Sequence, residues 1–189
     1  MMPRNGMYGI LLTLIVSCGN GEISKSSTEI SASCDRAAIG DGTVVFKSCN
    51  ETNGISYATY ENKNSNSPYV TEFDKNKLII VTSHNKQDLL KISGFKPTSI
   101  TPVFTGTKLD VIPSPELIST REILSPTTLT GWSINQENIQ YFDPHGAGYI
   151  ISCFTAFKEQ NDTSIVVSEC LPYGQLEQFR ALIGNLHVK

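Results

Sequence analysis

Residues 149–170 read YIISCFTAFKEQNDTSIVVSEC. Two runs rich in β-branched and aromatic side chains flank Asn161-Asp162, residue types that tolerate the left-handed backbone of a tight hairpin turn. A two-residue turn there sets Gln160 opposite Thr163 and, counting outward, Cys153 opposite Cys170. Cross-strand pairs alternate in character away from the turn, so the two cysteines fall in a non-hydrogen-bonded pair, where side chains approach most closely. A cross-strand disulfide suits that parity. The same count about Asp41-Gly42 sets Cys34 opposite Cys49, now in a hydrogen-bonded pair. There Cys34-Asp-Arg-Ala-Ala reads equally as a helical turn. Each closed loop, of about 15 residues, would contribute on the order of 3 kcal/mol in the chain-entropy model.

Outward from this hairpin the chain breaks into further short apolar runs: Thr43–Lys47, Ile55–Tyr60, Tyr69–Phe73, Lys77–Thr82, Ser99–Phe104, Lys108–Ile112, Leu129–Ile134 and Asn138–Phe142. Asn, Asp, Gly, Pro and Ser clusters separate them, the punctuation of antiparallel strands. Two segments read as helix. Asn85 stands three residues before Asp88 and leads into Leu89, Leu90 and Ile92, with a stop at Gly94. Leu176, Phe179, Leu182 and Ile183 share one helical face ahead of Gly184-Asn185, and such a helix would pack across the sheet. The expected fold is α+β, predominantly antiparallel β-sheet with a C-terminal helix and two disulfides. The stretch from Thr98 to Thr130 holds four prolines with many Thr and Ser, room for a long functional loop among its short runs.

The 189 residues carry 15 Lys and Arg against 18 Asp and Glu, a formal charge of −3, and are 39% hydrophobic. These values exclude a wholly disordered chain, and no basic run offers a footprint for a phosphate backbone, so no nucleic-acid partner is expected. At the N-terminus Arg4 precedes an apolar stretch from Met7 to Val16, too short to span a bilayer, which takes about 20 apolar residues. The stretch ends in Ile15-Val16-Ser17-Cys18. This tetrapeptide resembles the lipobox of bacterial lipoproteins. The resemblance covers that segment alone and implies diacylglyceryl transfer to Cys18, cleavage before it and acylation of the new amine. Residues 1–17 then form a lipoprotein signal peptide, residues 18–33 a lipidated polar tether spanning roughly 20 Å, and residues 34–189 a single periplasmic domain. Gly19 stands where an Asp resembles an inner-membrane retention signal, so the outer membrane is favoured, with membrane attachment through the lipid alone.

Four cysteines besides Cys18 are an even number in an exported chain, which fits disulfides; no C-x-x-C or paired-histidine spacing supports a metal site, and no cofactor is expected. No nucleophile elbow, zinc-protease, phosphate-loop or dinucleotide motif is present. Asp143-Pro-His145-Gly juxtaposes a histidine and a carboxylate suited to general-base chemistry, although Asp-Pro and the following glycines also simply build a turn. Glu116, Glu122 and Glu137 could supply a carboxylate pair if two converge. Trp132 reads as an exposed binding anchor or as a buried sheet residue. Trp132, Asp143 and His145 are thus the candidate partner-binding residues, and the loops Glu61–Pro68 and Ser125–Trp132, with the turn Asp143–Gly148, the candidate surfaces. In size, tether and oxidised sheet domain the chain resembles immunity lipoproteins that protect bacteria from effectors injected into the periplasm by contact-dependent secretion. That resemblance implies a non-enzymatic binder of a toxic effector enzyme. The alternatives are a structural lipoprotein assisting assembly of an envelope or secretion complex, and a tethered hydrolase.

Overall fold

The computed structural model describes residues 34, 37–39, 44–63, 77–96, 102–112, 115–142 and 145–188. The signal peptide, Cys18, the tether, the strand expected at Tyr69–Phe73 and Asp143 lie outside the described residues. In chain order the elements are β1 (Ala37–Ile39), β2 (Val44–Thr52), β3 (Ile55–Asn62), β4 (Lys77–Ser83), α1 (Lys86–Ile92), β5 (Phe95–Lys96), β6 (Val103–Phe104), β7 (Ile118–Ile123), β8 (Thr127–Leu129), β9 (Trp132–Phe142), β10 (Gly148–Gln160), β11 (Thr163–Pro172), α2 (Leu176–Gly184) and β12 (Leu186–Val188). The fold is α+β and mostly antiparallel. An eight-stranded sheet runs β2-β3-β4-β11-β10-β9-β7, with β8 paired to β9 beside β7; β1 pairs β12, and β5 pairs β6.

The hairpin read from residues 149–170 is at the centre of this sheet. Asn161 and Asp162 adopt φ of 51° and 57°, Gln160 faces Thr163, and Cys153 faces Cys170 with their Cα atoms 4.0 Å apart in a disulfide. Its strand β11 is buried on both faces between Thr163 and Glu169, which explains why its sequence reads as a nearly continuous apolar run. Cutting this bridge by replacing both Cys153 and Cys170 with Ala is expected to lower stability by about 2–4 kcal/mol in urea denaturation. An unchanged midpoint would show that the opposed strands hold without it.

The second disulfide, Cys34–Cys49, is also formed, but the hairpin expected about Asp41-Gly42 is not. That hairpin would set Ala37 against Phe46; Ala37 instead pairs Val188, while Phe46 pairs Tyr60. Long-range pairing with the C-terminal strand has displaced the local alternative, so this bridge ties β2 to the segment preceding β1.

Two layers cover the sheet. On one face Phe179, Leu182 and Ile183 of α2 and Leu186 of β12 pack on Leu78, Ile80, Ile134, Phe154, Ile165 and Val167, with Phe154 and Phe179 stacked at 5.0 Å. The helix spans the residues its apolar spacing predicts and ends at Asn185. On the other face, Leu89 of α1 and Leu109 pack on Ile79, Val81 and Val166. Asn85 caps α1 as expected, its side chain accepting from the backbone N–H groups of Gln87 and Asp88.

Two strand expectations need correction. Lys108–Ile112 forms turns instead of a strand: Leu109 and Val111 owe their apolar alternation to packing on the sheet face, and Val111 N–H closes back on the Leu109 carbonyl at 2.7 Å. Leu129–Ile134 is two strands, because Thr130 and Gly131, at φ 38° and 82°, turn the chain so that Leu129 faces Trp132. The stretch Thr98–Thr130, expected to hold a long loop, contains β6, β7 and β8, β6 within the expected Ser99–Phe104 run.

Candidate functional site

The β8–β9 hairpin projects beside a sheet end that is hollowed on both faces. On the α2 side, Leu129, Trp132, Arg180, Ala181 and Gly184 line a pocket of about 460 Å³. On the opposite side, the β5–β6 ribbon and residues Ile123, Pro126, Ser133, Asn135 and Phe157 line a larger groove of about 700 Å³. Lys158 borders both. Val103 and Ile123, 52% and 48% exposed, stand at the mouth of the groove, while Phe95 packs edge-on against Phe104 at 5.3 Å and lies 6.3 Å from Phe157.

The far wall is held in place by a buried polar clasp. Glu137, fully buried on β9, accepts from Arg121 Nε at 3.0 Å and Nη2 at 2.7 Å, and its other oxygen accepts from the Thr107 backbone N–H at 2.8 Å. Thr107 Oγ1 lies 3.0 Å from Thr155 Oγ1, which accepts from Ser168 Oγ at the same distance. A side chain at Gly106 would strike Arg121, and one at Gly94 would place its Cβ 1.8 Å from the Gly106 carbonyl oxygen. Glycine at both positions therefore lets the segment after β6 lie against the end of α1, where Thr105 donates twice to the Gly94 carbonyl. This fixes β6, and with it Val103, at the groove's edge.

Inside the groove the chemistry is unbalanced. Asn135 is 4% exposed and its Nδ2 has no acceptor. At its rim Glu159 is paired with Lys86 at 2.7 Å, while on the α2 side of the sheet Lys158 Nζ sits 5.5 Å over the Trp132 ring. Most buried polar groups in proteins find a hydrogen-bond partner, so an orphan donor on a groove floor marks a place where an acceptor can be received.

The residues singled out from sequence are dispersed. Trp132 is 4% exposed, so it is a buried sheet residue and not an exposed anchor; it contributes through the pocket it floors and through Lys158 above it. His145 is exposed in the turn beyond the other end of β9, roughly 30 Å from Trp132 at about 3.3 Å per strand residue. The structure therefore does not gather Trp132 and His145 into one surface. Glu116 and Glu122 are exposed, and the β7–β9 register sets Glu122 beside Asn138 on the face opposite Glu137, so those two do not converge. Of the candidate surfaces, Ser125–Trp132 forms the hairpin at the site. The described part of Glu61–Pro68 ends β3 at the far side of the sheet, where Glu61 pairs with Lys47. Asn135, Lys158, Val103 and Ile123 come from separate strands and carry no motif in sequence.

Among the described residues no group of three His, Cys, Asp or Glu side chains is placed to hold a metal ion, and no helix is long and apolar enough to cross a membrane. Neither protein-family models nor curated proteins give a match to the chain.

Proposed function

We propose that the chain is a lipid-anchored protein-binding module of the bacterial envelope, favouring the outer membrane, that neutralises a toxic effector enzyme as an immunity protein or inhibitor. The observation that carries this reading is the apolar groove at the β8–β9 end of a disulfide-stapled sheet. It combines exposed aliphatic side chains and an unsatisfied amide on walls fixed by a buried clasp. Contiguous exposed apolar surface rimmed by polar groups is characteristic of interaction sites, and fixed walls limit the ordering cost of binding. The lipobox-like Ile15-Val16-Ser17-Cys18 supports the envelope location, since several acyl chains make anchoring effectively stable where one would be marginal.

The test is a competition between the parent strain and one lacking the gene. Loss of fitness that requires cell contact, and disappears when a neighbouring effector gene is inactivated, is the expected result. Cys18→Ser should abolish detergent-phase partition of the protein, because the thiol is the acyl acceptor. A growth defect of the deletion strain in isolation would favour the assembly reading instead, and partition unchanged by Cys18→Ser would sink the lipid anchor.

A further inference from the structure

The pocket on the α2 side of the sheet carries a charge that its own walls leave unbalanced. Strand alternation sets Lys158 on the face of Phe154 and Ala156, the one that α2 covers. Its ammonium stands 5.5 Å over the Trp132 ring and meets no carboxylate among the described residues. From α2 comes Arg180, whose Nη1 donates to Glu177 Oε1 at 2.7 Å while its Nε, buried, has no acceptor. One carboxylate thus serves two cations, and with the Glu177 side chain 80% exposed that ion pair is of the kind solvent screens. The excess is positive, in a chain whose formal charge is −3. Aliphatic surface completes the lining: Leu129, Ala181 and Leu186 border the same 460 Å³, and Gly184 keeps it open, since a Cβ there would meet nothing within 4 Å. An occupant that complements this joins a negative group to a short apolar stem. The glutamate or aspartate side chain of a polypeptide has that form. An anionic membrane surface fits less well, because attraction to one takes clusters of basic residues and the chain has no basic run.

We infer that this pocket receives an acidic side chain of the protein partner. The carboxylate meets Lys158 Nζ and the part of the Arg180 guanidinium that Glu177 leaves unpaired, and the stem lies against Leu129 and Leu186. This rests on the reading of the chain as a protein-binding module and names the chemistry of the partner's anchor residue.

The probe is a phage-displayed random heptapeptide library, depleted on the full oxidised chain carrying Gly184→Trp and then panned on the parent, so that what is retained needs the pocket open. Retained peptides are expected to hold Asp or Glu, and the best synthetic one is titrated by fluorescence anisotropy. Lys158→Glu should weaken its binding by about tenfold or more, as reversing a contact charge does. Glu177→Gln should strengthen it by up to about fivefold, because it frees the guanidinium from an exposed pair. Lys47→Ala, at the far edge of the sheet, should change nothing. Thermal melts verify folding; should Gly184→Trp unfold the chain, Ala181→Trp blocks the same pocket. Retention of basic or uncharged peptides, absence of any binder, or a binder indifferent to both Lys158→Glu and Glu177→Gln overturns the inference. So does binding of the unacylated Cys18→Ser chain to phosphatidylglycerol vesicles that Gly184→Trp abolishes, which would assign the pocket to a membrane surface. The competition assay separates the two proposals. If Lys158→Glu and Gly184→Trp protect as fully as the parent, the pocket fails while the immunity reading stands. If deletion costs no fitness but peptide binding depends on the pocket, the immunity reading fails and the pocket stands.

Discussion

Replacing Arg121 with Ala is expected to destabilise the protein by about 3 kcal/mol or more, the cost of leaving a buried carboxylate without its counter-ion. Glu137 is fully buried, and of its two oxygens the one facing Arg121 receives both guanidinium hydrogen bonds, at 3.0 and 2.7 Å. Only the Thr107 N–H remains for the other oxygen. The Arg121 side chain is 37% exposed, so water can approach from its side, which places the expected loss at the lower end of the range for broken buried pairs. The double variant Arg121→Met with Glu137→Gln removes the stranded charge and should recover more than half of that loss. Urea denaturation can follow both through Trp132, the single tryptophan, packed in the core on the opposite face. A loss under about 1 kcal/mol for Arg121→Ala would show that the pair behaves as an ordinary surface ion pair. Because Arg121 also donates to the Thr107 carbonyl at 3.3 Å, the same variant should loosen the wall that carries Val103.

The parts of this molecule legible in sequence are those fixed by local chemistry. Asn161-Asp162 could adopt the two left-handed conformations of a tight turn, and that alone set the register that brings Cys153 to Cys170. Asn85 and the Gly184-Asn185 stop bounded the helices for equally local reasons. Failures came where distant pairing or packing decided. Asp41-Gly42 was a plausible turn, yet β1 found its partner in residues 186–188. Thr130 hid a turn inside an apolar run because a β-branched residue rarely takes positive φ. Strand β7 carries no strand signature in its sequence because most of it is exposed at the sheet's edge, so no face imposes alternation on Ile118–Ile123. The candidate site shares this last difficulty. Residues 95, 103, 123, 135 and 158 meet only after the sheet and the clasp have formed, and none of them belongs to a motif.

Raising the pH from 4.5 to 8 is expected to cost the protein stability through one side chain, Glu169. It lies on β11 between Leu78 and Phe154, fully buried, with Asn62 Nδ2 donating to Oε1 at 2.7 Å and no partner for Oε2. Burial pushes its pKa from 4.5 up to about 8, against the smaller opposing effect of the Asn62 hydrogen bond. Below pH 4.5 the folded and unfolded chains both carry the proton, and this group adds no pH dependence. Between pH 4.5 and 8 the unfolded chain releases the proton while the folded chain keeps it, so stability falls as pH rises; above 8 both are ionised and the fall levels off. The total is on the order of 4 kcal/mol, at about 1.4 kcal/mol per unit. Glu61, held below the usual carboxylate range by its hydrogen bond and charge contact with Lys47, works in the opposite sense at acid pH, but it is exposed and its effect is screened. Glu169→Gln keeps an acceptor for Asn62 without an ionisable proton. It should match the parent near pH 5 and exceed it by several kcal/mol at pH 8.5 in urea midpoints. Parallel profiles for variant and parent across that range would show that Glu169 ionises in the folded chain as it does in water.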